Sequence, residues 1–271
     1  MTAVDTAAAL QAYDEQIRRS TEAPVEGATV EWSGPVLRLL GPPDLATAWA
    51  NAIVASELDE STADAAIAEQ VGFFGELGRA FEWKWHGYDQ PADLRDRLSA
   101  AGFVPDEQET LVVGEVAEVA AACAGASVLD EVTLRHLRPE DADAEFAAIA
   151  GQKGRVWGED FTDLMSVVRA EWESDPDRLL IHVAEARGEV VCSAWVRLHP
   201  GTDFASLWGG GTLPEWRRKG IYRALVGRRT REAQERGYRY LQVDASDDSR
   251  PILQRLGLHA LTETTPYNWS P

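Results

Sequence analysis

Residues 209–226, Gly-Gly-Gly-Thr-Leu-Pro-Glu-Trp-Arg-Arg-Lys-Gly-Ile-Tyr-Arg-Ala-Leu-Val, constrain this chain more than any other stretch. The apolar residues 204–208 read as a strand that runs into three glycines. After Pro214 comes a basic turn, Arg217-Arg-Lys-Gly220. A helix pattern follows, with Ile221, Leu225 and Val226 on one face and Arg223, Arg228, Arg229 and Arg231 on the other. Strand, cationic glycine turn and helix start together make a phosphate cradle. The helix N-terminus presents unpaired N–H groups, its dipole adds positive potential, and glycine lets an anion come close. Arg217, Arg218 and Lys219 would add charge-assisted bonds to a pyrophosphate. Taken alone, the same turn reads equally well as a solvated helix start, because basic side chains usually face water.

The rest of the chain supplies a setting for that turn. Helical periodicity predicts helices over residues 4–20, 44–56, 61–79, 91–101, 139–151, 161–172 and 249–256, and one from the basic turn to Glu235. Strands are expected at 36–40, 81–85, 110–116, 132–137, 179–184, 190–198, 204–208, 240–243 and 261–269, with a hairpin at Arg187-Gly-Glu. Residues 117–131, rich in Ala and Gly, read as a linker. The alternation predicts an α/β (α+β) fold in which mixed sheets are flanked by helices. Sliding the sequence on itself by 155 residues lays 81–103 over 236–258, with Asp89 on Asp244, Leu98 on Leu253 and Gly102-Phe103 on Gly257-Leu258. Two tandem units follow from this match, about 1–120 and 130–271.

The pattern Arg217-x-x-Gly220, with Pro214 three residues before it and an apolar helix after it, resembles the coenzyme A pyrophosphate loop of the GNAT acyltransferase superfamily. That loop usually reads Arg/Gln-x-x-Gly-x-Gly/Ala, and here the last position is Tyr222. The order of elements from 132 to 271 is also similar to that family. The resemblance implies transfer of an acetyl or other acyl group from acetyl-CoA to an amine by direct attack in a ternary complex, without a metal. It implies cofactor binding by Thr212, Leu213, Arg217, Arg218, Lys219, Gly220, Ile221, Tyr222 and Ser246. The family's acid is a Tyr four residues before the Gly-Phe pair. Leu253 stands at that position, so Tyr222, Ser246 and Asp244 are the catalytic candidates, each with a structural role as the alternative. Trp157, Glu159, Asp160 and Trp208 are the acceptor candidates, with Asp160 weighed against a plain helix cap. The acceptor is expected to be a small-molecule or peptide amine, and a homodimer is left open. The rival class is a non-catalytic acyl-CoA-binding or protein-interaction module.

At the 155-residue offset, Arg217, Arg218, Lys219 and Gly220 fall on Thr62, Ala63, Asp64 and Ala65, after Glu57, Asp59 and Glu60. A pyrophosphate would meet carboxylates there and no glycine, so the N-terminal unit is expected to be a degenerate, non-binding copy. Charge is divided in the same sense. Residues 1–128 hold 7 Lys/Arg against 22 Asp/Glu, and residues 129–271 hold 19 against 23, within a net charge of −19. Such acidity disfavours nucleic acid and anionic membranes as partners. No apolar run approaches the roughly 18–20 residues of a membrane span, and residues 1–10 do not read as a secretory signal. Two cysteines, Cys123 and Cys192, suggest a reduced, cytoplasmic setting. His136, His182 and His199 are scattered over strands with no ligand spacing, so no metal site is expected.

Overall fold

The structure is a computed structural model, and it describes residues 4–45 and 47–271. Helix α1 (Thr6–Tyr13) continues as a π-helical turn, Asp14–Arg18. Strands β1 (Thr29–Ser33) and β2 (Val36–Leu40), a 3-10 turn (Ala48–Ala50), β3 (Asn51–Ser56), helix α2 (Ala63–Leu77) and β4 (Phe81–His86) follow. Next come α3 (Leu94–Ala100), the short β5 (Val104–Pro105), β6 (Glu109–Glu115) and α4 (Val116–Cys123). The chain continues with β7 (Val132–His136), α5 (Ala142–Trp157), α6 (Thr162–Ser174), β8 (Leu179–Ala186), β9 (Glu189–Leu198) and β10 (Phe204–Thr212). It ends with α7 (Ile221–Glu235), β11 (Tyr240–Ala245), α8 (Arg250–Arg255) and β12 (His259–Trp269).

Two compact units emerge, and the division is not a single cut in the sequence. The C-terminal unit is built mainly from Val112–Val243 and Pro251–His259, and the N-terminal unit from Ala7–Leu111, Asp244–Arg250 and Ala260–Pro271. Within the C-terminal unit the sheet order is β6-β11-β10-β9-β8-β7. Its strands β8 and β9 are apolar almost throughout because both faces are covered. Ile181, Val183, Val190 and Trp195 pack with Phe146 and Ile149 of α5 and with Met165 and Val168 of α6. Ala184, Val191, Cys192 and Ala194 pack on the other face with Ile221 and Leu225 of α7. The N-terminal unit orders its strands β1-β2-β3-β4-β12, with β5 beside β12. Its core is aromatic: Phe74 stacks on Phe81 at 4.1 Å, and Phe103, Trp83 and Tyr267 join the same cluster.

Each unit contains the same crossover. In one, β3 and β4 are parallel and joined through α2; in the other, β10 and β11 are parallel and joined through α7. Both helices are 15 residues long. The short helices α3 and α8 close alike. Gly102 and Gly257 take φ of +92° and +95°, and the Phe103 and Leu258 amides return to the Leu98 and Leu253 carbonyls at 3.1 Å in both cases. The offset of 155 aligns these closures. The crossover helices start 158 residues apart, because the connection from β4 to α3 is longer than that from β11 to α8.

Two expectations are corrected. Residues 51–56 form β3, not the end of a helix, because Asn51, Ile53 and Ala55 are buried in alternation with half-buried neighbours, a period of two that local helix propensity had masked. Residue 46 of that predicted helix lies outside the described residues. The linker at 117–131 begins as α4, with Val116, Val119 and Cys123 on its buried face, as its run of alanines favours. It packs close to α7, where a Cβ on Gly227 would come within 2.8 Å of the Cys123 Cβ.

Candidate functional site

The β10 strand carries the site, and it is shaped by the loss of pairing on both sides. Its parallel pairing with β11 covers only Phe204–Ser206, and its antiparallel register with β9 shifts between Trp208 and Gly211. A bulge of this kind leaves carbonyls without ladder partners, and each must find another donor. Side chains supply them. Arg229 Nη1 donates to the Trp208 carbonyl at 3.3 Å and Lys153 Nζ to Gly209 at 2.7 Å. Gln152 Nε2 donates to Gly211 at 3.0 Å and Arg217 Nε to Thr212 at 3.1 Å. Gln152 is itself held by Ser193 Oγ, which donates to its Oε1 at 2.7 Å.

The three glycines have three different packing partners. A Cβ on Gly209, which has φ of +63°, would lie 2.2 Å from the Trp195 ring. On Gly210 it would lie 2.9 Å from the Tyr222 ring, and on Gly211 it would lie 2.4 Å from the Trp157 ring. The departure from the family pattern at Tyr222 is therefore matched by Gly210, whose missing side chain makes room for the phenol ring.

The basic turn lies between β10 and α7. Arg217, Arg218, Lys219 and Gly220 are exposed. Arg218 and Gly220 have φ of +62° and +79°, and a Cβ on Gly220 would meet the Ser127 carbonyl at 2.8 Å. Gly220 is the N-cap of α7 and offers no side chain to close the helix start. In the N-terminal unit the turn before the equivalent helix is organised by a carboxylate. Asp59 Oδ1 accepts the Ser61 and Thr62 amides at 2.8 and 2.9 Å and both hydroxyls at 2.7 and 3.0 Å. These bonds hold the Asp59 carboxyl below its ordinary pKa.

Lys153, Gln152 and Arg229 hold the bulge, and sequence reasoning missed or misplaced them. Arg229 is 2 % exposed and not on the solvated face of α7. Its position follows from the stripe Leu225, Val226, Arg229 at helical spacing. Lys153 is 1 % exposed, with the Trp195 and Trp157 rings 4.7 and 5.2 Å from its Nζ. Burial pushes its ammonium down to about 7, and the Arg229 guanidinium acts in the same direction. The signal for it was legible: Phe146, Ile149 and Lys153 fall on one helical face, where a lysine is out of place.

The remaining candidates separate. Trp157 ends α5, half-exposed, against Phe161 and Gly211. Glu159 is exposed, and Asp160 accepts the Thr162 amide and hydroxyl at 2.9 and 2.6 Å, the helix-start role weighed against acceptor binding. Trp208 Nε1 donates to Ser206 Oγ at 2.8 Å, and its ring lies under Arg197. Thr212 Oγ1 donates to Cys192 Sγ, and Leu213 and Ile221 are buried in the core beside α7. Asp244 and Ser246 belong to the N-terminal unit. There Asp244 accepts the Thr264 hydroxyl and lies 3.8 Å from Lys84 Nζ, while Ser246 stabilises the turn into α8 through Ser249. Leu253 is fully buried.

Comparison with known proteins places this geometry. A model of the Acetyltransferase (GNAT) family matches residues 140–258. This stretch is a GNAT-family domain. It contains the β10 bulge, the basic turn and α7. Comparison with curated proteins gives no match. Among solved structures, the chain is similar to a GCN5-related N-acetyltransferase from Kribbella flavida, at 16% identity and TM-score 0.67, over 100% of this chain and 97% of that one. It is similar to a conserved protein of unknown function from Staphylococcus epidermidis, at 13% identity and TM-score 0.65, over 91% and 95%. It is also similar to a tandem GNAT protein from the clavulanic acid biosynthesis pathway, at 13% identity and TM-score 0.60, over 91% and 84%. These likenesses extend the fold beyond the GNAT-family domain to nearly the whole chain, as a tandem GNAT fold. Among the described residues, no helix is long and apolar enough to cross a membrane.

Proposed function

We propose that the GNAT-family domain transfers an acyl group, acetyl in the simplest case, from a coenzyme A thioester to an amine of a small molecule or peptide. The observation that carries this reading is the adjacency of an uncapped, cationic helix start to a strand bulge whose carbonyls are bound by side chains. Arg217, Arg218, Lys219 and the first turn of α7 would hold the diphosphate, and Thr212 and Leu213 the arm that follows it. The residues fit such a group: the cations are exposed and Gly220 keeps the helix start open. Bound there, acetyl-CoA supplies an activated thioester.

The chain's own residues then divide the work. Lys153, Gln152 and Arg229 are positioning residues that fix the bulge. Trp157 and the α5–α6 turn border the acceptor side. Tyr222 takes the acid role, because its phenol ring lies against the bulge at Gly210 whereas Leu253 has no proton to give. The N-terminal unit, with a carboxylate in the turn before its helix in place of cations, is a degenerate copy that does not bind the thioester.

Thiol release from acetyl-CoA, measured over a panel of primary amines, tests the reading. Amine-dependent turnover supports it. Tight binding with no turnover on any acceptor would favour the second reading, a non-catalytic acyl-CoA-binding module, for which the buried Leu253 at the family's acid position speaks.

A further inference from the structure

Away from the bulge, three potential ligands converge in the C-terminal unit. His136 and His182 are cross-strand partners on β7 and β8, with ring centroids 4.3 Å apart. Glu232, near the end of α7, brings Oε1 to 3.2 Å from His136 Nε2. One nitrogen from each imidazole and one oxygen from the carboxylate lie within 4.8 Å of one another. The sequence left these residues scattered because their meeting depends on strand register and on how α7 crosses the sheet.

His182 is the observation that points to a ligand. Its side chain is fully buried, yet neither ring nitrogen has a hydrogen-bond partner among the described residues. Buried polar groups are nearly always satisfied, so an imidazole with two orphaned nitrogens needs an explanation. Glu232 is also prepared for the task. Arg236 Nη1 donates to Oε2 at 2.6 Å, orienting the carboxylate and leaving Oε1 toward the imidazoles. Ligating carboxylates are typically held in this way by an outer partner.

We propose that His136, His182 and Glu232 form a binding site for a zinc-type divalent cation that ties the β7–β8 pair to α7. Two imidazoles and one carboxylate are a borderline donor set suited to zinc, with a fourth position for water on the half-exposed His136 side. Tetrahedral bonds near 2.0–2.1 Å require ligand atoms roughly 3.3 Å apart. The His136–Glu232 pair already meets this distance at 3.2 Å, and the remaining separations, all within 4.8 Å, close by side-chain rotation on binding. The guanidiniums of Arg228, Arg229 and Arg236 lie near the His182 imidazole. Those cations oppose a dication, so the affinity will be lower than that of a thiolate site. The role is structural: Glu232 lies about 16 Å along α7 from Ile221, at the far end from the basic turn.

Chelator-treated full-length protein titrated with Co2+, then Zn2+, provides the test, with no acyl donor present, so its outcome is independent of the acyltransfer reading. The expected result is one Co2+ per chain with the intense visible bands of a four-coordinate site, displaced by one equivalent of Zn2+. His136→Ala and Glu232→Gln, both at partly exposed positions, should each weaken Zn2+ binding at least about tenfold and remove the zinc-dependent rise in Tm. His182→Ala should do the same if it folds, and the other two variants decide the matter if it does not. Absence of a four-coordinate spectrum, or Zn2+ affinity unchanged in His136→Ala and Glu232→Gln, would overturn the assignment.

Discussion

Lys153 is held against a carbonyl and two indole faces in a place where lysine is rarely found. Its depressed pKa has a consequence for stability whose sign is fixed. Below about 7 the ammonium is charged in both folded and unfolded chains, and its burial penalty is fully present. Between about 7 and the ordinary value of 10.5 the unfolded chain binds more proton, so this residue's contribution to stability improves as pH rises. Lys153→Met, compared with the parent by thermal unfolding from pH 7 to 10, should therefore show a flatter stability profile. Parallel profiles would mean that the ammonium is not penalised by burial. Gly209 makes a second residue-scale test. Gly209→Ala forces a left-handed backbone on alanine and drives a methyl into the buried Trp195 ring, and should cost about 2–5 kcal/mol in denaturant unfolding. That the glycine run is permissive was legible in the sequence. Why three are needed was not, because Trp195, Tyr222 and Trp157 reach them from separate elements.

Among the elements, the repeat makes the strongest prediction. Gly102 and Gly257 end equivalent helices with nearly equal φ, and a Cβ at either would make only ordinary contacts near 3.8 Å. Backbone strain should then dominate in both, so Gly102→Ala and Gly257→Ala should each cost about 1–2 kcal/mol by denaturant unfolding. A large difference between them would mean that the two closures are not equivalent. These closures were legible because Gly and the following apolar residue are local signals. The β3 strand was not, because its alternation is short and alanine-rich and its identity is settled by parallel pairing with β4. The α4 helix was hidden for a related reason: Ala and Gly together suggest a linker until the packing partner, Gly227 on α7, is known.

For the molecule as a whole, the fold repeats while the chemistry of the two units diverges. Both units contain a parallel crossover with a 15-residue helix. One helix starts on Gly220 after three exposed cations, and the other follows a turn in which the Asp59 carboxylate accepts the Ser61 and Thr62 amides. On a chain of net charge −19, the exposed Arg217-Arg-Lys219 cluster is a local concentration of positive charge, which the proposed function assigns to the diphosphate. The measurement that bears most directly on this difference is calorimetric titration of acetyl-CoA into the parent protein and into the double variant Arg217→Glu, Lys219→Glu. One site per chain is expected in the parent. Loss of two charge-assisted contacts, each worth about 1.5–3 kcal/mol, should weaken binding roughly 100-fold or more in the variant. Two sites per chain, or an affinity that survives the double reversal, would contradict the account.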